Sequence, residues 1–232
     1  MRTRLATVVG ALLILAWTSV ALAGQASRVI LVLGDASFID ASSVQQATGA
    51  EVSRDSSRPL KDTAVLVLAN IPFGALPPSI QDELPGYVQG GGALLLTGGP
   101  QAFGSGGYQR VADLLPFQLR SQSDWRNIPN RFPVVVSSGH PGIAGVTFIS
   151  VQAVNDMNPR PDATEILQTA GGGSAGGGMY PYPLMADIGV GAGRVIGVAF
   201  DLNDFAGMRD RDRFVQNTLT YLLTASRMGS AR

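Results

Sequence analysis

Short, wholly apolar runs punctuate the first half of the chain. "RVILVLG" (Arg28 to Gly34), "TAVLVLAN" (Thr63 to Asn70) and "GALLLTG" (Gly92 to Gly98) are each too short for a buried helix. Each is bounded by Gly, Asn or a polar turn, so each reads as a strand covered on both faces. Between them lie two helical stretches. Ser37 to Thr48 predicts a short helix stopped by Gly49. Pro77-Pro78-Ser79 opens a second one running toward Gln89, with Ser79 as its cap and Pro85-Gly86 weakening it. Strand, helix, strand, helix, strand is the signature of an α/β fold with a doubly wound, mainly parallel sheet.

The second half is patterned differently. "RFPVVVSS" (Arg131 to Ser138), "ATEILQTA" (Ala163 to Ala170), "YPLMADIG" (Tyr182 to Gly189) and "GRVIGVAFD" (Gly193 to Asp201) predict further strands. Only Val190-Gly191-Ala192 separates the last two, so they form a β-hairpin. The chain closes with Arg209 to Arg227, where Phe214, Leu219, Leu222 and Leu223 recur at helical spacing. That is an amphipathic helix docking on the sheet. "GGGSAGGG" (Gly171 to Gly178) has nothing to bury and predicts a mobile loop inside the domain.

The first residues read as an address. Arg2 and Arg4 precede an apolar run from Leu5 to Val20, and Ala21-Leu22-Ala23 offers a signal-peptidase site before Gly24. Residues 1–23 are thus expected to be a signal peptide and 24–232 one domain, exported to the periplasm or beyond. An uncleaved membrane anchor is the competing reading.

Composition narrows the chemistry. Of 232 residues, 45% are hydrophobic and 15% charged, which suits a folded domain. Seventeen basic residues balance seventeen acidic ones, so no basic excess points to nucleic acid. There is no cysteine and one histidine, His140, which excludes disulfides, thiolate metal sites, a cysteine nucleophile and a His-rich metal site. No cofactor or metal is expected. Asp201, Asn203 and Asp204 hint at calcium, but Phe205 and Ala206 stand where an EF-hand needs an oxygen ligand and a glycine.

"YVQGGGALLLTGGPQAFGSGGY", followed by "LLPFQL", resembles the glutamine-amidotransferase-like domains found in bacterial membrane proteins that also carry von Willebrand A domains. "GHPGIAGV" resembles the family's His-Pro segment. "ILQTA" and "YPLMADIGVGAGRVIGVAFD" resemble its strand pair with a Gly-x-Gly-Arg turn and a terminal Asp. The likeness runs from Arg28 to Leu223. It implies a flavodoxin-like, class I amidotransferase fold and an envelope or membrane protein as partner; oligomeric state stays open.

A glutaminase of that family needs a thiolate on the strand-to-helix turn, a histidine base and an orienting carboxylate. Here the turn reads Gly98-Gly99-Pro100. The resemblance with no thiol therefore implies a non-catalytic binding or scaffolding domain of the bacterial cell envelope. One alternative is an exported hydrolase using Ser105, His140 and an acid such as Asp201, although Gly104-Ser105-Gly106 lacks the G-x-S-x-G spacing. Another is a small-ligand receptor with its crevice at the carboxyl ends of the strands. The candidate ligand-binding residues are Gly98, Gly99, Gly104, Ser105, Gly106, Gly107 and His140. The backbone N–H groups of the five glycines could face an anion, though glycines at such a crossing more often serve φ > 0 and close packing. Ser105 is expected to lie in an exposed loop, with little to lose on truncation. Tyr108 and Trp125 are read as exposed-loop candidates for a partner contact, against partly buried core.

Overall fold

The computed structural model describes residues 28–171, 181–204 and 208–229. The expected signal segment and nearly all of the glycine loop, Gly172 to Gly178, lie outside them. The fold is mixed α/β. One nine-stranded sheet runs in the order β2-β1-β3-β4-β11-β10-β9-β6-β7. Its larger block is parallel: β2 (Glu51–Ser53), β1 (Val29–Gly34), β3 (Val65–Ala69), β4 (Ala93–Thr97) and β11 (Gly193–Val198). Then β10 (Pro183–Val190), β9 (Thr164–Thr169), β6 (Trp125–Val136) and β7 (Ser150–Asn155) continue it as an antiparallel wing. A separate two-stranded ribbon joins β5 (Phe117–Leu119) to β8 (Met157–Pro159).

The three apolar runs are indeed the central parallel strands, and every residue of β3 and β4 is buried. Their side chains sort by shape. On β1 and β3, Ile30, Val32, Val65 and Val67 face one core, while Leu31, Leu33, Leu66 and Leu68 face the other. Strand alternation sends neighbours to opposite faces, so a run of alternating branched residues and leucines builds two chemically distinct floors.

Helices cover both floors. α1 (Ala41–Thr48) and α3 (Arg211–Gly229) lie on the branched face; α2 (Pro78–Gln89) lies on the leucine face. The predicted stripe of α3 is the buried one: Phe214, Leu219, Leu222 and Leu223 all enter the first core, and Val215 joins them. Each such side chain contributes about 1.5–3 kcal/mol on burial.

Several boundaries differ from expectation. α1 starts at Ala41, not Ser37, because Asp40 caps it by accepting from Ser43 N, 2.8 Å away. Ser37 and Phe38 N instead donate to Asn203 Oδ1. Gly49 ends α1 as predicted, at φ 68°. Ser79 caps nothing; α2 begins at Pro78 with Pro77 in the cap position, and Pro85 sits inside it. After the glycine turn the chain forms 3-10 turns over Tyr108–Leu114, kinked at Val111. The hairpin between β10 and β11 turns at Gly191, φ 61°. Among the described residues no helix is long and apolar enough to cross a membrane.

Candidate functional site

The turn after β4 lies at the carboxyl ends of the parallel strands. Its first glycines are there because nothing larger fits. A Cβ on Gly98 would come within 2.6 Å of the Ala199 carbonyl carbon and 2.7 Å of Phe200 N. Gly99 has φ 145° and packs directly on the Asn70 side chain. The expectation that one of this pair needs positive φ therefore holds.

Most backbone N–H groups of the turn are already spent. Gly99 N donates to Asn155 Oδ1 (3.0 Å), and Asn155 Nδ2 returns a bond to Gly99 O (3.1 Å). Gly104 N donates to Asp124 Oδ2 and Ser105 N to Asp124 Oδ1, each at 2.9 Å. Gly106 N and Gly107 N close local turns onto Ala102 O and Gly104 O. Gln101 N donates to Asn70 Oδ1. The N–H groups foreseen for an external anion at Gly99, Gly104 and Ser105 go to the chain's own side chains, and those of Gly106 and Gly107 to its carbonyls.

Ser105 is the centre of this arrangement. Its hydroxyl donates to Asp124 Oδ1 at 2.6 Å and accepts from Asp124 N (3.1 Å) and Trp125 N (3.3 Å). The expectation of an exposed, expendable hydroxyl is corrected: it is half-buried and fully engaged. Asp124 itself is fully buried, and Asn155 Nδ2 gives it a further bond at 3.1 Å. Tyr108 is corrected too. It is buried, stacks edge-on against Phe73 and donates to Ile71 O. Burial pushes its phenol well above the usual tyrosine range. Trp125 is half-buried at the start of β6.

Asp124 and Asn155 carry the site, and neither stood out in the sequence. Asp124 ends the polar run "RSQSD" and Asn155 the run "VQAVN", which resemble solvated loop and strand end. The wing brings them together: Trp125 pairs with Asn155 across β6 and β7, and Asn155 N donates to Ala199 O at 2.7 Å. The wing's inner end is thereby fastened to the carboxyl end of β11.

His140 lies elsewhere. It precedes a 3-10 turn, Pro141–Ile143, and its Nδ1 accepts from Gly142 N at 3.0 Å. Its ring stacks edge-on with Tyr221 of α3, 4.4 Å between centroids, on the branched face of the sheet. The neighbours of Ser105 in sequence, Phe103 and Tyr108, pack in the leucine core on the other face. The structure does not bring Ser105 and His140 together. The nearest carboxylate to His140 Nε2 is Asp187 Oδ2, at 3.4 Å.

Asp187 is a buried carboxylate in the middle of β10, approached from three sides, although its Oδ1 and the facing His140 Nε2 make no hydrogen bond. Tyr221 Oη donates to Oδ2 (2.8 Å), Arg194 Nε lies 3.1 Å from Oδ1, and His140 flanks it. Arg194 also donates to the Tyr221 hydroxyl from Nε and Nη2. Burial pushes the Tyr221 phenol above its usual range. With Nδ1 taken by the backbone and Nε2 turned to Asp187, His140 has no nitrogen aimed at a hydroxyl or a solvent-filled cleft. This suits a structural lock between α3 and the wing.

Asp201 sits at the end of β11's apolar run, where it accepts from Asn203 N at 2.8 Å. Burial, with Asp35 and Asp204 nearby, raises its carboxyl above the ordinary range. Among the described residues no group of three or more His, Cys, Asp or Glu side chains could hold a metal ion.

No protein-family model matches the chain, and no curated protein matches it either. Solved structures do resemble it. Two cytoplasmic proteins of Salmonella typhimurium superpose with TM-scores of 0.64 and 0.63 at 15% and 16% identity, covering 84% of this chain and 99% and 98% of theirs. A ThuA-like protein of Parabacteroides merdae gives 0.57 at 11% identity over 85% of this chain and 90% of its own. A β-galactosidase of Rahnella sp. R3 gives 0.56 at 12% identity, where the match spans 85% of this chain but 31% of the enzyme. At these identities what the chain shares with its structural neighbours is the fold.

Proposed function

We propose that this chain is an amidotransferase-like domain of flavodoxin-like architecture that serves as a non-catalytic binding or scaffolding module of the bacterial cell envelope. The observation that carries this reading is the state of the turn after β4. Where a glutaminase of this family needs a thiolate and free oxyanion donors, Gly98 and Gly99 stand without a thiol anywhere in the chain. The donors at Gly99, Gly104 and Ser105 are bonded to Asn155 and Asp124. The parallel block in the order β2-β1-β3-β4-β11 has the strand order of flavodoxin-like sheets, which supports the finer fold assignment. The envelope location rests on the sequence features of residues 1–23 and on the family resemblance. The hydrolase reading loses support from the placement of Ser105 and His140 on opposite faces.

The experiment has two arms. The purified chain from Gly24 onward is incubated with glutamine and with a panel of simple esters; neither ammonia nor acid is released above a heat-killed control. Crosslinking in the native host then recovers the chain joined to an envelope protein. Ester hydrolysis that vanishes in Ser105→Ala would establish the hydrolase instead. Recovery of an uncrosslinked cytoplasmic protein would end the envelope assignment.

A further inference from the structure

The group of donors around Asp124 has the composition of an anion-binding site. Two successive backbone N–H groups, those of Gly104 and Ser105, point at two oxygens of one carboxylate, each at 2.9 Å. The Ser105 hydroxyl adds a third donor at 2.6 Å and Asn155 Nδ2 a fourth at 3.1 Å. All four contacts are donors, and the side chain they surround is fully buried. Consecutive N–H groups converging on one oxyanion form the concavity that elsewhere receives phosphates and carboxylates. The segment leading into it, Arg120 to Ser123, is exposed.

We propose that this concavity is an anion site whose resident ligand is the chain's own Asp124 carboxylate, and that it accepts a free monocarboxylate of formate size once that side chain is removed. The proposal rests on the donor geometry alone and not on the family reading. Tethering explains why the wild-type site ignores outside anions: a carboxylate fixed on the neighbouring segment has an effective concentration far above that of dilute solutes. Asp124→Ala deletes the carboxylate and leaves a void of the same shape, and formate is that group with a hydrogen in place of the chain. Asp124→Asn fills the same space but presents an amide N–H₂ to donors, so it gains nothing from an added anion.

Melting temperatures of the wild type, Asp124→Ala and Asp124→Asn, measured in sodium formate and in sodium chloride of equal ionic strength, decide the matter. Asp124→Ala melts below the wild type, and formate raises its melting temperature by about 3 °C or more relative to chloride. Neither the wild type nor Asp124→Asn shifts by more than about a degree. An equal formate shift in all three proteins, or none in Asp124→Ala, overturns the proposal. If Asp124→Ala is insoluble, it is refolded in both salts. Recovery in formate alone supports the site, and failure in both overturns it.

Discussion

Ser105 and Asp124 bond each other in both directions: the serine hydroxyl donates to the Asp124 carboxylate at 2.6 Å and accepts from the Asp124 backbone N–H at 3.1 Å. The pair closes the glycine turn onto the start of β6, 19 residues later in the chain. A hydroxyl held this way is an anchor for the wing.

Ser105→Ala is therefore expected to destabilise the fold while leaving no catalytic trace. The substitution leaves Asp124 N and Trp125 N without their acceptor and takes one donor from a buried carboxylate. A cost of about 1–3 kcal/mol follows, or a fall of roughly 3–8 °C in melting temperature for a domain of this size. Thermal unfolding followed by circular dichroism checks it. A melting temperature unchanged within a degree would return Ser105 to the status of a loop residue.

Gly98→Val and Gly99→Val should each be more severe. At Gly98 a side chain meets backbone of Ala199 and Phe200, and Ala199 cannot step aside without losing its bonds to Leu184 O and Asn155 N. At Gly99 the backbone is in the region that L side chains avoid, and Asn70 fills the space. Losses of about 3 kcal/mol or more are expected, with poor soluble yield. Soluble protein with wild-type melting curves would mean that the turn relaxes far more freely than its packing allows.

Asp201→Asn should stabilise the protein at neutral pH. The folded state raises the Asp201 carboxyl above its unfolded value, mainly through burial and then through Asp35 and Asp204. Folding thus favours the protonated form, and stability falls as pH rises from the unfolded pKa through the folded one. Asparagine keeps the oxygen that accepts from Asn203 N and carries no charge. Because the site is half-exposed, the gain is a few tenths of a kcal/mol, or about 1 °C, at pH 7. It fades as pH falls through the ordinary aspartate range at about 4 and is gone once the wild-type carboxyl is protonated in both states. A wild-type advantage at pH 7 would contradict the assignment.

How much of this was legible beforehand depended on whether a segment carries its own signal. β1, β3 and β4 are buried on both faces, so unbroken apolar runs announce them. The β10–β11 hairpin was legible because its turn residues are local. β6 and β7 are different. Much of their surface is exposed or half-buried, so polar and apolar residues mix without a clear period. The second half of β6, from Arg131, was legible as "RFPVVVSS"; its first half, broken by Pro129, and all of β7 carry no such signal. The candidate site divides in the same way. Gly98 and Gly99 announced a tight turn. Asp124 and Asn155 matter only because the wing folds back onto that turn, and no window of sequence contains both ends of a contact spanning 56 residues.

The placement of β11 bears on how the molecule is assembled. Ala93 of β4 pairs on one side with Val65 and on the other with Arg194, about a hundred residues further along the chain. Until β11 arrives, β4 is an open edge offering Leu94, Leu95 and Leu96 to any other strand. A ribosome or an export channel releasing this chain from its amino end thus produces an apolar, unpaired edge early and the strand that covers it nearly last. Slow folding and a need for protection during synthesis follow from that order of events. Any fragment that stops before Gly193 inherits the open edge permanently.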